Sequence, residues 1–309
     1  MGSHILQSLL SRPTKHSITI LSRPESSSPF PSSVKVLKVD YTSASSITTA
    51  LQNIDFLIIT LPATASPDLH PRIVQAAAAA GVKYIMPNYF GYALSDPSSP
   101  RTPDPILDAF ERSVNDVRNA GVTFIALACG FWYEWSLGIG QNWYGFDIKA
   151  RKVTFYDDGL KKINTSTWGL CGDAVAAILD GNLDQWANKA VHVSSFLVSQ
   201  RDMLDSLHRV LGTSDADWEI EYQGSEERVK EAMSELQAGN RMGFPKALYA
   251  KTFFADGRGD FETKYGLDNG KLGLKGEELD EATRRTVELV EAGFGFQSWV
   301  QTGKITRLE

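Results

Sequence analysis

Cysteine is scarce in this chain. Only Cys129 and Cys171 occur among its 309 residues. Neither has C-x-x-C spacing or a neighbouring histidine cluster, so no disulfide framework and no metal site is expected. Both read as small buried residues of a protein in a reducing, cytoplasmic compartment. Positive charge is also short: 31 lysines and arginines face 37 acids, for a formal net charge of -6. That balance argues against a nucleic-acid partner, which would need a basic patch or stripe. No apolar run approaches the ~18 residues of a membrane span, and no leader-like segment precedes the first helix. A further shortage lies at the start of the chain. Ile5, Leu6, Leu9 and Leu10 make one apolar helical face, and the β-branched run 17–21 follows. Helix, loop and strand form the second half of a βαβ crossover. The strand and glycine turn expected ahead of that helix are missing, unless this is an ordinary N-terminal helix with nothing lost.

What is present fits a globular α/β protein. Hydrophobic residues make up 42% and charged residues 22%. The length suits about two domains, or one large α/β domain with an appendage. After strand 17–21 comes a Ser/Pro-rich loop, then strand 34–39, a short helix over 46–53, and the nearly continuous apolar strand 55–61. A helix from Pro71 to Ala80 is closed by Gly81, and strand 82–86 follows. The next helix carries Ile106, Phe110, Val114 and Val117 on one face and leads into strand 122–127. Strand and helix thus alternate for about 128 residues, which predicts a parallel, doubly wound sheet lacking its first strand.

The pattern then changes. Residues 131–146 are crowded with aromatic side chains, which wall a flat substrate or form an interdomain core. Strand 151–156, a turn at 157–159 and helices over 166–179, 201–211 and 224–238 follow. A strand at 190–194 returns to the sheet. An acidic-start helix closes residues 276–293. The expected division is a doubly wound α/β region over 1–128 and a smaller α+β region over 129–309, which the resemblance given below makes an NAD(P)-binding domain and a substrate region.

Open α/β sheets bind ligands beyond the carboxyl ends of their strands. Arg23 follows strand 17–21, where a cation fits a ribose 2′-phosphate through a bidentate fork. It selects NADP(H) over NAD, unless it is a solvated surface arginine. Asp40 either accepts from an adenine amine or ends its strand. Pro62 and Ala63 line the ribose and nicotinamide, or make a plain turn. Pro87, Asn88, Tyr89 and Phe90 face the nicotinamide and substrate.

The segments 2–6, 22–24, 87–91, 120–124 and 153–159, in this order and spacing, resemble the NmrA-like family of atypical short-chain dehydrogenases. That family includes isoflavone reductases, and the likeness to its fungal branch covers nearly the whole chain. The resemblance implies a Rossmann domain, NADPH, a smaller C-terminal substrate domain, and reduction of an aromatic or quinone-like small molecule. Gly2 stands where the last glycine of the family's phosphate-binding turn would be. The family's usual lysine falls at Phe110, inside an apolar stripe, with Arg112 two residues on. Arginine is too basic to donate its proton at neutral pH. Tyr89, Tyr133 and Glu134 are the candidate replacements, and Phe90, Phe131, Trp132 and Glu134 the candidate substrate contacts. Against the tyrosines stands the reading of packed rings with bonded hydroxyls. His192 and His208 read as structural, and His4, His16 and His70 as surface or helix-end residues. Two rivals stay open: a non-catalytic NAD(P)-sensing regulator, and a shortened remnant that no longer binds the nucleotide. The sequence also leaves room for a homodimer.

Overall fold

The computed structural model describes residues 1–12, 16–62, 65–95, 104–254 and 259–296. Helix α1 (Gly2–Leu10) buries Ile5 and packs along a later helix, α6 (Trp168–Asp180). Between them in sequence lie α2 (Ala44–Ala50), α3 (Leu69–Ala80), α4 (Pro105–Asn119) and the short α5 (Tyr133–Gly138). Their ends follow local chemistry. The Ser43 hydroxyl accepts from Ser46 N–H ahead of α2, and the Asp104 carboxylate accepts from the first amides of α4. Gly81 stops α3 in the left-handed region at φ 81°. The apolar stripe expected on α4 is real: Ile106, Val114 and Val117 are buried and Phe110 is half-buried.

The strands of the first half are β1 (Thr19–Ser22), β2 (Lys35–Lys38), β3 (Phe56–Ile58), β4 (Tyr84–Met86), β5 (Phe90–Gly91) and β6 (Thr123–Ala128). They fall into two parallel ladders. One is β1–β2. The other runs β3–β4–β6, with β5 also paired to β6. Among the described residues no hydrogen-bonded strand joins β1 to β3. The ladders are nevertheless parts of one core, because Leu21 and Leu37 pack with Leu57 and Ile59 against Val74, Val114 and Phe124. The Leu21 carbonyl lies between two that bond the second strand's side, at Ile18 and Ser22, and so points away from β2. It accepts from the Tyr41 hydroxyl at 3.1 Å, which satisfies one exposed edge group.

The second half contributes β7 (Phe131–Trp132), β8 (Phe146–Asp147), β9 (Lys152–Tyr156), β10 (Ile163–Ser166), β11 (Lys189–His192), β12 (Phe196–Val198) and β13 (Glu219–Gln223). Strand β11 returns to the main sheet and pairs in parallel with β6. Asp268 and Asn269 bond its outer edge and the residues just after it. The other strands make two small mixed sheets, β12–β10–β7 and β13–β9–β8. Helices α7 (Gln200–Leu211), α8 (Ser225–Gln237), α9 (Gly243–Ala250), α10 (Glu262–Tyr265) and α11 (Leu279–Glu291) are the remaining α-helices of the described residues. The result is a doubly wound α/β sheet with a C-terminal mixed-sheet part. Most of the aromatic block is interior: Phe131, Tyr133, Trp143, Tyr144 and Phe146 belong to the core beneath α7, α9 and α11. No helix of the described residues is long and apolar enough to cross a membrane.

Candidate functional site

The carboxyl ends of β1, β3, β4 and β6 share one edge of the parallel layers, and the start of α1 meets it. A Cβ on Gly2 would stand 2.7 Å from Thr60 Oγ1, so the helix approaches the end of β3 as closely as glycine allows. No acidic residue occupies its first turn. Arg23 follows β1 with its side chain 71% exposed and one loose ion pair, to Glu25 at 3.5 Å. Asp40 follows β2, but its carboxylate accepts from the amide and hydroxyl of Thr42 at 2.8 and 2.7 Å. Those bonds lower its pKa, and they serve a turn.

Between β3 and β4 the structure has a clamp. Asn88 Oδ1 accepts from Leu61 N–H at 3.1 Å, and Asn88 Nδ2 donates to Leu61 O at 3.2 Å. The Asn88 amide thereby ties the residue after Pro87 to the residue before Pro62, joining the segments that leave β4 and β3. Its backbone is held as well, with the N–H donating to His70 Nε2 at 3.3 Å and the carbonyl accepting from Ser113 Oγ at 3.3 Å. His70 Nδ1 meets Asp116 Oδ2 at 2.8 Å. This corrects the surface reading of His70: it sits in the first turn of α3, but its ring is buried. Burial lowers its pKa, partly offset by Asp116. Ala63 lies outside the described residues.

The tyrosines face inward. Tyr89 is 1% exposed and its hydroxyl donates to Tyr92 O at 2.7 Å. Tyr133 is fully buried and its hydroxyl pairs with Thr283 Oγ1 at 2.7 Å. Burial raises the Tyr133 pKa further. Phe131 stacks on Tyr249 at 3.7 Å between centroids, deep in the second core, and Phe90 is buried beside β6. Trp132 is half-buried and bridges the two halves.

Glu134 is the exception. It opens α5, just beyond the end of β6, and is only 4% exposed. Oε2 accepts from the Trp168 backbone N–H at 3.1 Å, and Oε1 is 3.5 Å from Arg285 Nη2. Desolvation outweighs both and pushes its pKa up to about 7. That is a preference of about 3 kcal/mol for the neutral form over an ordinary glutamate.

Residues 1–140 match a family model described as NAD(P)H-binding. The oxidoreductase poxI of Penicillium oxalicum is 26% identical over 285 residues, covering 88% of this chain and 86% of that one. The first 140 residues therefore form an NAD(P)H-binding region, and along most of its length the chain is similar to a fungal oxidoreductase. Its fold is similar to that of a solved isoflavone reductase, with a TM-score of 0.70 at 19% identity over 92% of this chain and 95% of that one. It is also similar to an NADPH-dependent quinone oxidoreductase of Escherichia coli solved with NADPH, with a TM-score of 0.64 at 18% identity over 93% and 96%.

Phe110 fills the place where the resemblance expects a lysine. Its ring packs on Tyr89 and Phe131 at 5.1 and 6.2 Å. It also covers Gly91, where an added Cβ would overlap the ring. The His70–Asp116 pair had one sequence signal, a histidine in the first turn of a helix otherwise apolar toward the sheet, but its partner lies 46 residues on.

Proposed function

We propose that this chain is an NADPH-dependent oxidoreductase reducing an aromatic or quinone-like small molecule, with Glu134 as proton donor. One observation carries the reading: beyond the central strands the Glu134 carboxyl is buried, held by the Trp168 backbone N–H and 3.5 Å from a half-exposed guanidinium, and that burial pushes its pKa up to about 7. Such a group can protonate an oxygen on which negative charge develops. NADPH would supply the hydride. The residues at the strand ends suit that cofactor. Arg23 is exposed and loosely paired, as a 2′-phosphate ligand must be. Gly2 brings a helix start with no nearby acid to the end of β3, which favours an anion there. The Asn88 amide is spent on Leu61, so its role is to hold Pro62 and Pro87 beside the nicotinamide. Trp132 and Trp135 are half-buried and offer flat apolar walls.

The test follows NADPH oxidation with 1,4-naphthoquinone from pH 5 to 9. Glu134→Gln should lower kcat by about 10²–10⁴-fold, and the fall of wild-type kcat above pH 7 should vanish. Unchanged turnover in the variant would remove Glu134 from the mechanism. Phe110 in the lysine's place favours a second reading, a nucleotide-sensing regulator. NADPH binding without oxidation across a quinone and enone panel would select it.

A further inference from the structure

Arg285 leaves most of its hydrogen-bonding capacity unused. It projects from α11 with its side chain 45% exposed, and reaches Glu134 Oε1 at 3.5 Å and Glu277 Oε1 at 3.4 Å, both through Nη2. A committed pair in the same protein looks different: Arg209 grips Asp280 through Nε and Nη2, each at 2.7 Å. Guanidinium carries five N–H donors in a rigid fork. Those on Nε and Nη1 of Arg285 have no partner among the described residues.

Each neighbouring carboxylate has other partners. Glu277 Oε2 accepts from Thr167 Oγ1 at 2.8 Å and Ser195 Oγ at 2.5 Å. Glu134 Oε2 is held by Trp168 N–H. The Trp168 side chain adds a second open donor, because it is 5% exposed and its indole N–H has no partner among the described residues. A half-exposed fork therefore flanks the carboxyl assigned above as proton donor, and the residue whose backbone N–H holds that carboxyl carries a buried, open indole N–H.

We propose that Arg285 is the specificity residue of the same site and binds an anionic oxygen, so the preferred substrate is an aromatic carboxylate or ionised enol. The inference rests on the role given to Glu134. A bound anion draws the guanidinium away from Glu134 and adds negative charge nearby. Both effects favour the protonated carboxyl, so the acid is loaded when the substrate arrives.

The test is calorimetric titration of the full chain, with NADP+ present, using two probes that share one ring skeleton. The first is 2-hydroxy-1,4-naphthoquinone, an anion at neutral pH; the second is neutral 1,4-naphthoquinone. The wild type should prefer the anion by about tenfold, the scale of one charge-assisted contact. Arg285→Ala should abolish that preference and leave the neutral quinone within about twofold. Arg285→Lys should keep part of the preference, which guards against a folding artefact. Equal binding of both probes by the wild type, a preference that survives in Arg285→Ala, or no binding of either overturns the proposal. Anion preference without NADPH oxidation supports the subsite and defeats the reductase reading. Reduction of both quinones by NADPH at equal kcat/KM does the reverse.

Discussion

Asn88 grips Leu61 with both ends of its amide, donating to the carbonyl at 3.2 Å and accepting from the N–H at 3.1 Å. Only a side chain with one donor and one acceptor fits that pair. Asn88→Asp keeps the acceptor but turns a second oxygen toward Leu61 O. The expected cost is about 1–3 kcal/mol, read by urea unfolding, together with weaker NADPH binding. An aspartate variant as stable as the wild type would show that the clamp is not closed in solution.

His70 supports the clamp from behind, and its pKa is lowered mainly by burial. A group depressed in this way is neutral in the fold and binds protons more readily when unfolded. It therefore contributes stability above pH 6.5 that is lost as pH falls through its folded pKa. Asp116 and the Asn88 N–H are the polar groups that face it. His70→Gln should remove this acid-side step from the pH dependence of the melting temperature. Persistence of the step in the variant would assign it to other groups.

Glu134 gives the opposite slope. Its folded pKa is raised, from 4.5 to about 7. The unfolded chain then releases its proton first, and stability falls as pH rises through that interval. Glu134→Gln should therefore melt higher than wild type at pH 8, by an amount approaching about 3 kcal/mol, and close to wild type at pH 5. A uniform shift at both pH values would mean that the carboxyl is not held neutral.

Gly91 and Phe110 form a second coupled pair, because the ring occupies the space a Cβ at 91 would need. Gly91→Ala should destabilise by about 1–3 kcal/mol. Phe110→Leu in the same chain should recover part of that loss. Purely additive effects in the double-mutant cycle would show that the two residues do not touch.

Much of this arrangement is legible in the amino-acid order. The apolar stripe of α4, the glycine after α3 and the alternation of β-branched strands and helices follow from local periodicity, and so does the return of β11 beside β6. The site is less legible. Tyr133 and Glu134 are adjacent, yet helical geometry turns the first into the core against Thr283 and leaves the second beneath Trp168. Asn88, His70 and Asp116 come together only when β3, α3, β4 and α4 pack, and no local pattern marks that meeting. Arg285 lies 151 residues beyond Glu134 in sequence.

The central claim is that the strand ends bind a dinucleotide and that Arg23 recognises its additional phosphate. The most direct measurement is a parallel fluorescence titration of wild type and Arg23→Ala with NADPH and NADH. The account predicts that wild type binds NADPH more tightly, and that the substitution weakens NADPH by about 10–100-fold while leaving NADH nearly unchanged. Equal losses for both nucleotides, or no binding of either by the wild type, would contradict it.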